Sequence, residues 1–211
     1  MLLYCLDMQA LDLTQILILI VCILVALVIH EFMHAYIGHV LGDTTASDQG
    51  RLSLNPLSHI DPIMTVALPI ITIVLFQVPI LAAKPVPFSP DRVKFDDYGA
   101  AMIAAAGPFS NLGLAIISAL AFNLIGPVPG TLFYNFLDTF IFLNVALFVF
   151  NLLPIPPLDG SRVVYAFAPE SVRRIMEQLE PVGLFLIIGL ILVGGGAFLT
   201  DLNQMVLNLL P

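Results

Sequence analysis

The chain has few charged residues. Only 10% of its 211 residues are Asp, Glu, Lys or Arg, whereas charged residues average about a quarter of a soluble globular domain. Hydrophobic residues make up 59% of the sequence, so the composition excludes an ordinary soluble domain. The longest stretch without a strong apolar run, about residues 82–98, is too short to bury a core of its own. We therefore predict a single integral-membrane domain over residues 1–211, with the lipid bilayer around it.

Basic residues and cysteines are also scarce. The chain has seven Lys and Arg, a net charge of −8 and two cysteines. Cys5 and Cys22 have no metal-ligand spacing and do not indicate a redox compartment. With so little basic charge, no nucleic-acid partner is expected. The first apolar segment lacks the basic flank of a removable signal, and we expect it to remain in the protein.

Long apolar runs dominate what the chain does contain. Four of them have the length and composition of full membrane spans, which predicts an all-α polytopic membrane protein with about four transmembrane helices. These four segments are Leu13–Leu41, Gly99–Ile125, Thr131–Leu153 and Pro181–Leu199.

A fifth apolar segment, Pro62–Ile80, is interrupted by Pro69. If it crossed the membrane, the loop with Lys84 would lie on the opposite face from Arg51. If it enters and returns, all seven basic residues share one face. Because basic loops stay in the cytoplasm, the sequence favours a re-entrant segment, a cytoplasmic basic face and an external N-terminus.

The first predicted span carries His30-Glu31-Phe32-Met33-His34, a metalloprotease signature. Two histidines four residues apart share one helix face and can bind one metal, and the Glu between them can act as a general base. Ionisable groups at the centre of a span cost about 2.5–3.5 kcal/mol each on insertion scales. Three such groups together therefore favour metal chemistry over a structural role.

A catalytic zinc usually takes three protein ligands and leaves one position for water. Asp159 lies in the proline-rich stretch Asn151–Gly160, where the helix must break. Irregular backbone is tolerated at membrane depth only when packed in protein or lining a wet cavity, which suits a metal site. His59 and Asp61 are the alternative ligands, in a segment that also fits an interfacial turn. The sequence favours Asp159, with His59 beside the site or at its entrance.

Three asparagines in predicted spans are further candidates. Asn144 and Asn151 are seven residues apart on one helix face, where an intramembrane Asn commonly bonds a neighbouring helix. Asn151 is also placed to donate to a developing oxyanion. Asn111 could join the polar site, while Gly107 and Pro108 before it predict close helix packing and a kink.

A short extended loop is predicted at Lys84-Pro85-Val86-Pro87-Phe88. The two prolines remove N–H donors from one edge, whereas Lys84 and Val86 keep theirs on the other. A substrate peptide could add to that one edge. A stiff surface linker explains the same residues equally well.

Taken in order, HEFMH, NPLSHIDP, AAKPVP, AAGPFSN and NLLPIPPLDG resemble the site-2 protease family of intramembrane zinc metalloproteases, in its short prokaryotic form. The resemblance implies one Zn2+ per chain, held by His30, His34 and Asp159. It also implies that Glu31 activates water and that Asn151 assists the tetrahedral intermediate. Met64 departs from the family, in which Gly is frequent at this position.

The resemblance further implies hydrolysis of peptide bonds in or near transmembrane segments of other membrane proteins. It implies a prokaryotic plasma membrane, with the active site nearer the cytoplasmic face. Two other functions remain open. A catalytically silent scaffold would tolerate loss of Glu31, which this chain retains. A metal or proton pathway would need polar residues along a complete route, yet the polar residues cluster toward one face.

Overall fold

The computed structural model describes residues 12–59 and 92–211. Several predictions fall outside these residues: the re-entrant segment Pro62–Ile80, the extended loop with Lys84 and Val86, and Asp61. In the described part of the chain, every regular element is a helix. The α-helices are α1 Leu13–Val40, α2 Thr45–Asp48, α3 Asp96–Ile125, α4 Leu132–Asn151, α5 Asp159–Phe167, α6 Glu170–Leu179, α7 Gly183–Leu190 and α8 Gly196–Leu207.

Three of these helices, α1, α3 and α4, are long and apolar enough to cross a membrane, which agrees with three of the four predicted spans. The fourth predicted span, Pro181–Leu199, is not one straight helix. The segments Glu170–Leu190 and Val193–Leu207 meet at an angle of 71°, next to Gly194 with φ 100°. Within the described residues there are thus three straight candidate spans, or four if the bent pair is counted as one.

Local sequence explains where the long helices begin and end. The Asp12 side chain accepts from the Gln15 N–H, and the Gln15 side chain accepts from the Asp12 N–H, which is a capping box at the start of α1. The Thr131 hydroxyl caps α4 by accepting from the Tyr134 N–H. Gly126 ends α3 in the left-handed conformation that glycine adopts without a steric penalty.

Helix α3 lies against α1, α4 and α5 and is the centre of the fold. Its buried face is rich in small residues, which lets neighbouring helices approach closely. They are Gly99, Ala101, Ala104, Gly107, Ala115, Ser118 and Ala119. Helices α1 and α4 also pack directly, through a buried cluster of Cys22, Ala26, Phe140 and Leu143. The close packing of α1 against α3 brings His30 and His34 of α1 into contact with α3.

Helices α5 and α6 are fastened to the start of α3. The Arg173 guanidinium donates to Asp97 on α3 and to the carbonyl oxygens of Ala166 and Ala168 at the end of α5. The Lys94 N–H donates to the Leu41 carbonyl at 2.9 Å. The end of α1, the start of α3 and helices α5 and α6 therefore lie at the same end of the bundle.

Candidate metal centre

The metalloprotease signature lies on the buried face of α1, and its two histidines meet Asp159, the first residue of α5. His30 Nε2 and His34 Nε2 are 3.0 Å apart. Asp159 Oδ2 is 3.2 Å from His30 Nε2 and 3.3 Å from His34 Nε2. The three donor atoms thus form a nearly equilateral triangle. Among the described residues, this is the group of His, Cys, Asp and Glu side chains that could hold a metal ion.

This donor group fits zinc. Zinc bonds of about 2.0–2.2 Å in a tetrahedral site place neighbouring ligand atoms about 3.3 Å apart. The separations of 3.0 to 3.3 Å between the donor atoms agree with that value. Two imidazole nitrogens and one carboxylate oxygen also match the ligand number of catalytic zinc, which keeps its fourth position open.

The hydrogen bonds behind the histidines leave their Nε2 atoms free to bind a metal. His34 Nδ1 lies 2.7 Å from the Ile103 carbonyl oxygen, which can only accept, so Nδ1 carries the hydrogen. His30 Nδ1 is likewise 2.6 Å from Asn111 Oδ1. In each neutral ring the lone pair is then on Nε2, the atom that faces the triangle.

Asp159 contributes an anionic ligand. Burial would raise the pKa of its carboxyl, but when the histidines are protonated, attraction to His34 and hydrogen bonds from the Nε2–H groups of His30 and His34 outweigh burial and lower the pKa below its ordinary value. A carboxylate in this ionised form is the metal-binding species.

One face of α3 supports both histidines. Ile103, Gly107 and Asn111 are four residues apart and share that face, and α3 runs antiparallel to α1, so Ile103 meets His34 and Asn111 meets His30. Gly107 lies between them. A Cβ on Gly107 would be 2.3 Å from His34 Nε2 and 2.6 Å from His30 Nε2. A side chain here would occupy the metal site, so only glycine fits.

Asp159 is held in place by the turn that follows α4. Leu153 and Leu158 in this turn are buried in a cluster with Ile187 and Leu199. Gly160 packs the first turn of α5 onto the preceding backbone, because a Cβ there would be 2.2 Å from the Leu152 carbonyl oxygen. The helix break predicted from the prolines therefore lets the start of α5, with Asp159, pack closely against the end of α4.

Glu31 is buried and lies in electrostatic range of His30, His34, Asp159 and His59. His59 is only 3% exposed but is not part of the donor triangle. Its Nε2 donates to the Ser53 carbonyl at 2.7 Å, and its Nδ1 has no hydrogen-bond partner within the described residues. His59 is therefore outside the donor triangle of the described residues, and its role beside the site or at its entrance stays a prediction.

The predicted asparagines divide into two groups. Asn111 and Asn144 are fully buried and bonded to each other, with 2.9 Å between Asn111 Nδ2 and Asn144 Oδ1. Asn151 instead donates to the Leu147 carbonyl of its own helix at 2.9 Å. From the sequence, Gly107 is predicted only to pack helices, and its place against the histidines was missed. The spacing of four places Gly107 and Asn111 on one helix face, but no pattern in the sequence shows that this face meets the histidines.

A cavity of about 310 Å³ opens one helical turn beyond Asp159. Its walls come from the start of α3, from α5 and from α6, and several of its side chains are charged. Its polar and charged lining residues include Asp97, Ser161, Arg162, Tyr165, Glu177 and Glu180. Because Ser161 and Arg162 follow Asp159 directly in α5, the cavity lies at the same end of the bundle as Asp159.

The chain is similar to known proteins of one peptidase family. The family model of Peptidase family M50 matches residues 126–194. YwhC of Bacillus subtilis strain 168, provisionally named a zinc metalloprotease, is 36% identical over 187 residues, which cover 85% of this chain and 82% of YwhC. Rip2 of Mycolicibacterium smegmatis carries the same provisional name. It is 26% identical over 174 residues, which cover 80% of this chain and 64% of Rip2. No solved structure matches the chain.

Apolar helices of span length around a buried HEFMH sequence define this protein as a membrane metalloprotease. The identity with YwhC extends over most of both chains, and so the chain belongs to peptidase family M50. Its cofactor is Zn2+, for which the described residues provide one donor group.

Proposed function

We propose that this protein is a site-2-type intramembrane endopeptidase that hydrolyses peptide bonds in or near transmembrane segments of other membrane proteins. The observation that carries the proposal is the triangle of His30, His34 and Asp159 beside the buried Glu31, on a helix apolar enough to span a membrane. A soluble metalloprotease does not need an apolar helix of this length. A silent scaffold would have no use for the buried Glu31.

In this proposal His30, His34 and Asp159 hold the zinc. When bound, zinc supplies Lewis-acid chemistry, polarising the scissile carbonyl and making water a stronger acid. Glu31 accepts the proton from the attacking water and later delivers it to the leaving amine. Asn151 donates to the oxyanion that develops on the substrate, after its amide leaves the Leu147 carbonyl. The cavity lined by Ser161 and Arg162, just after Asp159, supports a route for water to the site.

The substrate must reach this site as an unwound segment. A transmembrane helix hides its carbonyl groups in hydrogen bonds between residues i and i−4, and a hidden carbonyl cannot be attacked. We propose that Lys84 and Val86 present their N–H groups to the unwound segment, which then adds as a strand along that edge.

We further propose one domain with four spans, a re-entrant Pro62–Ile80 and a cytoplasmic basic face in a prokaryotic plasma membrane. The bond between Lys94 and Leu41 supports this topology, because the chain leaves α1 and enters α3 at the same end of the bundle. If Pro62–Ile80 is re-entrant, the end of α1 and the start of α3 must lie on the same side of the membrane. If that segment crossed once, they would lie on opposite sides. Arg173 and Arg174 lie at that same end, as the positive-inside rule requires of a cytoplasmic face.

Purified protein in detergent, incubated with a panel of single-span membrane proteins, tests the proposal. Glu31→Gln should keep its zinc and its helix content and lose cleavage, since only the base is removed. His30→Ala and His34→Ala should lose zinc as well as cleavage. Cleavage by Glu31→Gln near the wild-type rate would place the chemistry elsewhere. Zinc-dependent transport without cleavage in sealed vesicles would favour a metal pathway.

A further inference from the structure

A buried chain of hydrogen bonds links α4 to the back of the His30 ring. Asn144 Nδ2 donates to the Phe140 carbonyl at 2.8 Å. Asn111 Nδ2 donates to Asn144 Oδ1 at 2.9 Å and to the Ala26 carbonyl at 3.3 Å. Asn111 Oδ1 lies 2.6 Å from His30 Nδ1. Both asparagine side chains are 0% exposed, so water cannot replace any of these bonds.

The orientation of both amides in this chain of hydrogen bonds is fixed at its Phe140 end. A backbone carbonyl can only accept, so the Asn144 amide must turn its NH2 group toward Phe140 and its oxygen toward Asn111. The Asn111 amide must then turn its NH2 toward Asn144 and the Ala26 carbonyl, and its oxygen toward His30. That oxygen accepts, and so His30 carries its hydrogen on Nδ1.

Reversing both amides would prevent His30 Nε2 from binding a metal. If both amides turned over, Asn111 would donate to His30 Nδ1 and the ring hydrogen would move to Nε2, where it blocks metal binding. Reversal would also bring amide oxygens against the carbonyl oxygens of Phe140 and Ala26. Two such contacts inside an apolar bundle are strongly unfavourable. The two carbonyls therefore exclude the inactive tautomer.

The two histidines differ in this respect. His34 donates to the Ile103 backbone carbonyl, which no substitution at a side chain removes. His30 depends wholly on two side chains, of which Asn144 contacts neither His30 nor the donor triangle in any bond described above. A side-chain substitution can therefore remove the hydrogen bond behind His30 while leaving the one behind His34 intact.

We infer that Asn111 and Asn144 are positioning residues that hold His30 in its metal-binding tautomer, Asn144 acting only through Asn111. The inference rests on the proposed function, in which His30 is a zinc ligand. Asn111→Leu removes the acceptor behind His30. Asn144→Leu removes the group that orients Asn111 while leaving Asn111 in place. Both variants keep the branching of the side-chain heavy atoms and remove the hydrogen-bonding groups.

Zinc affinity, measured against a chromophoric chelator in detergent, is the primary readout. Substitutions behind a metal-binding histidine commonly cost 10- to 100-fold in affinity, and we expect about that loss for Asn111→Leu and about tenfold for Asn144→Leu. The double variant should lose no more than Asn111→Leu alone, because one chain of bonds connects both residues to His30. Asn111→Asp, which keeps an oxygen beside His30, should bind zinc more tightly than Asn111→Leu.

Asn203→Leu is the matched control, since Asn203 is a buried asparagine of α8 outside this chain of bonds. It should leave zinc affinity unchanged. The visible absorption bands of the Co2+-loaded protein should shift in Asn111→Leu and Asn144→Leu but not in Asn203→Leu. Circular dichroism of the zinc-free variants shows whether each one folds, and Asn111→Ala or Asn144→Ala replaces a leucine variant that does not.

Two results would overturn the inference. One is wild-type zinc affinity, within threefold, in a folded Asn111→Leu or Asn144→Leu variant. The other is additive losses in the double variant, which would mean two independent structural defects. His30→Ala separates this failure from failure of the proposed function. If His30→Ala releases zinc and Asn111→Leu does not, only the positioning role is lost. If His30→Ala keeps zinc, the ligand assignment is wrong.

Discussion

Gly107→Ala should remove zinc from the protein by adding one methyl group. The Cβ would be 2.3 Å from His34 Nε2 and 2.6 Å from both His30 Nε2 and His34 Cε1. Ordinary contact begins at 3.4 Å, so the His34 ring must retreat by about 1.1 Å. Ligand distances in a zinc site hold within about 0.2 Å. The required movement is several times that tolerance, and we expect His34 to be lost as a ligand.

The affinity loss follows from that displacement. Removing the support of a ligand costs about 10- to 100-fold, and displacing the ligand itself should cost at least 100-fold. A 100-fold loss corresponds to about 2.8 kcal/mol of zinc-binding free energy. Chelator competition measures the affinity, and metal analysis after dialysis measures the retained zinc. Thermal unfolding should then show a smaller stabilisation by added zinc than in the wild type.

Gly113→Ala is the matched control on the same helix. A Cβ at Gly113 meets nothing within 4 Å, so the same chemical change should leave zinc affinity unaltered. Zinc affinity of Gly107→Ala within threefold of wild type would refute the reasoning. It would mean that the histidines can retreat without releasing the metal, and that the close fit of α3 has no part in binding.

Three further predictions concern the rest of the site and the topology. Asp159→Ala should lower zinc affinity at least tenfold in chelator competition, whereas His59→Ala should leave it unchanged; the opposite pattern would move the third ligand to His59. Gly160→Ala should also lower zinc affinity about tenfold, because a Cβ 2.2 Å from the Leu152 carbonyl oxygen pushes α5 away. Unchanged affinity would mean that the close packing of α5 at Gly160 does not position Asp159. In a cysteine-free background, Ser171→Cys should react with an impermeant thiol reagent only from the cytoplasmic side and Gly130→Cys only from outside. Labelling of both from one side would contradict the proposed spans.

The three straight spans could be predicted closely because apolar length decides them. The prediction starts α3 at Gly99, while the helix begins at Asp96. A hydropathy pattern cannot find those three residues, since Asp96 and Asp97 are polar but favour a helix N-terminus through the macrodipole. The bend near Gly194 was missed for a related reason. Three consecutive glycines are apolar enough for a span, and apolarity carries no information about backbone angles.

The donor triangle could be predicted from helix geometry and from the proline break before Asp159. The groups of α3 that contact the histidines could not be predicted. The partner of His34 is the backbone carbonyl of Ile103, a group that every residue has, so no side-chain pattern indicates it. Gly107 looked like any small residue in a packed span. Its place against the two Nε2 atoms depends on how α3 is rotated against α1, which only the folded bundle determines.

The site is assembled from residues far apart in the chain, and this sets the order in which it can form. His30 and His34 are synthesised well before Asp159, and at about 5–20 residues per second the gap lasts on the order of 10 s. During that interval two imidazoles can hold zinc only weakly. Tight loading must wait until α5 has docked against α1 and α3. The nascent chain therefore cannot complete the donor triangle before α5 is in place, and tightly bound zinc marks a chain in which α5 has docked.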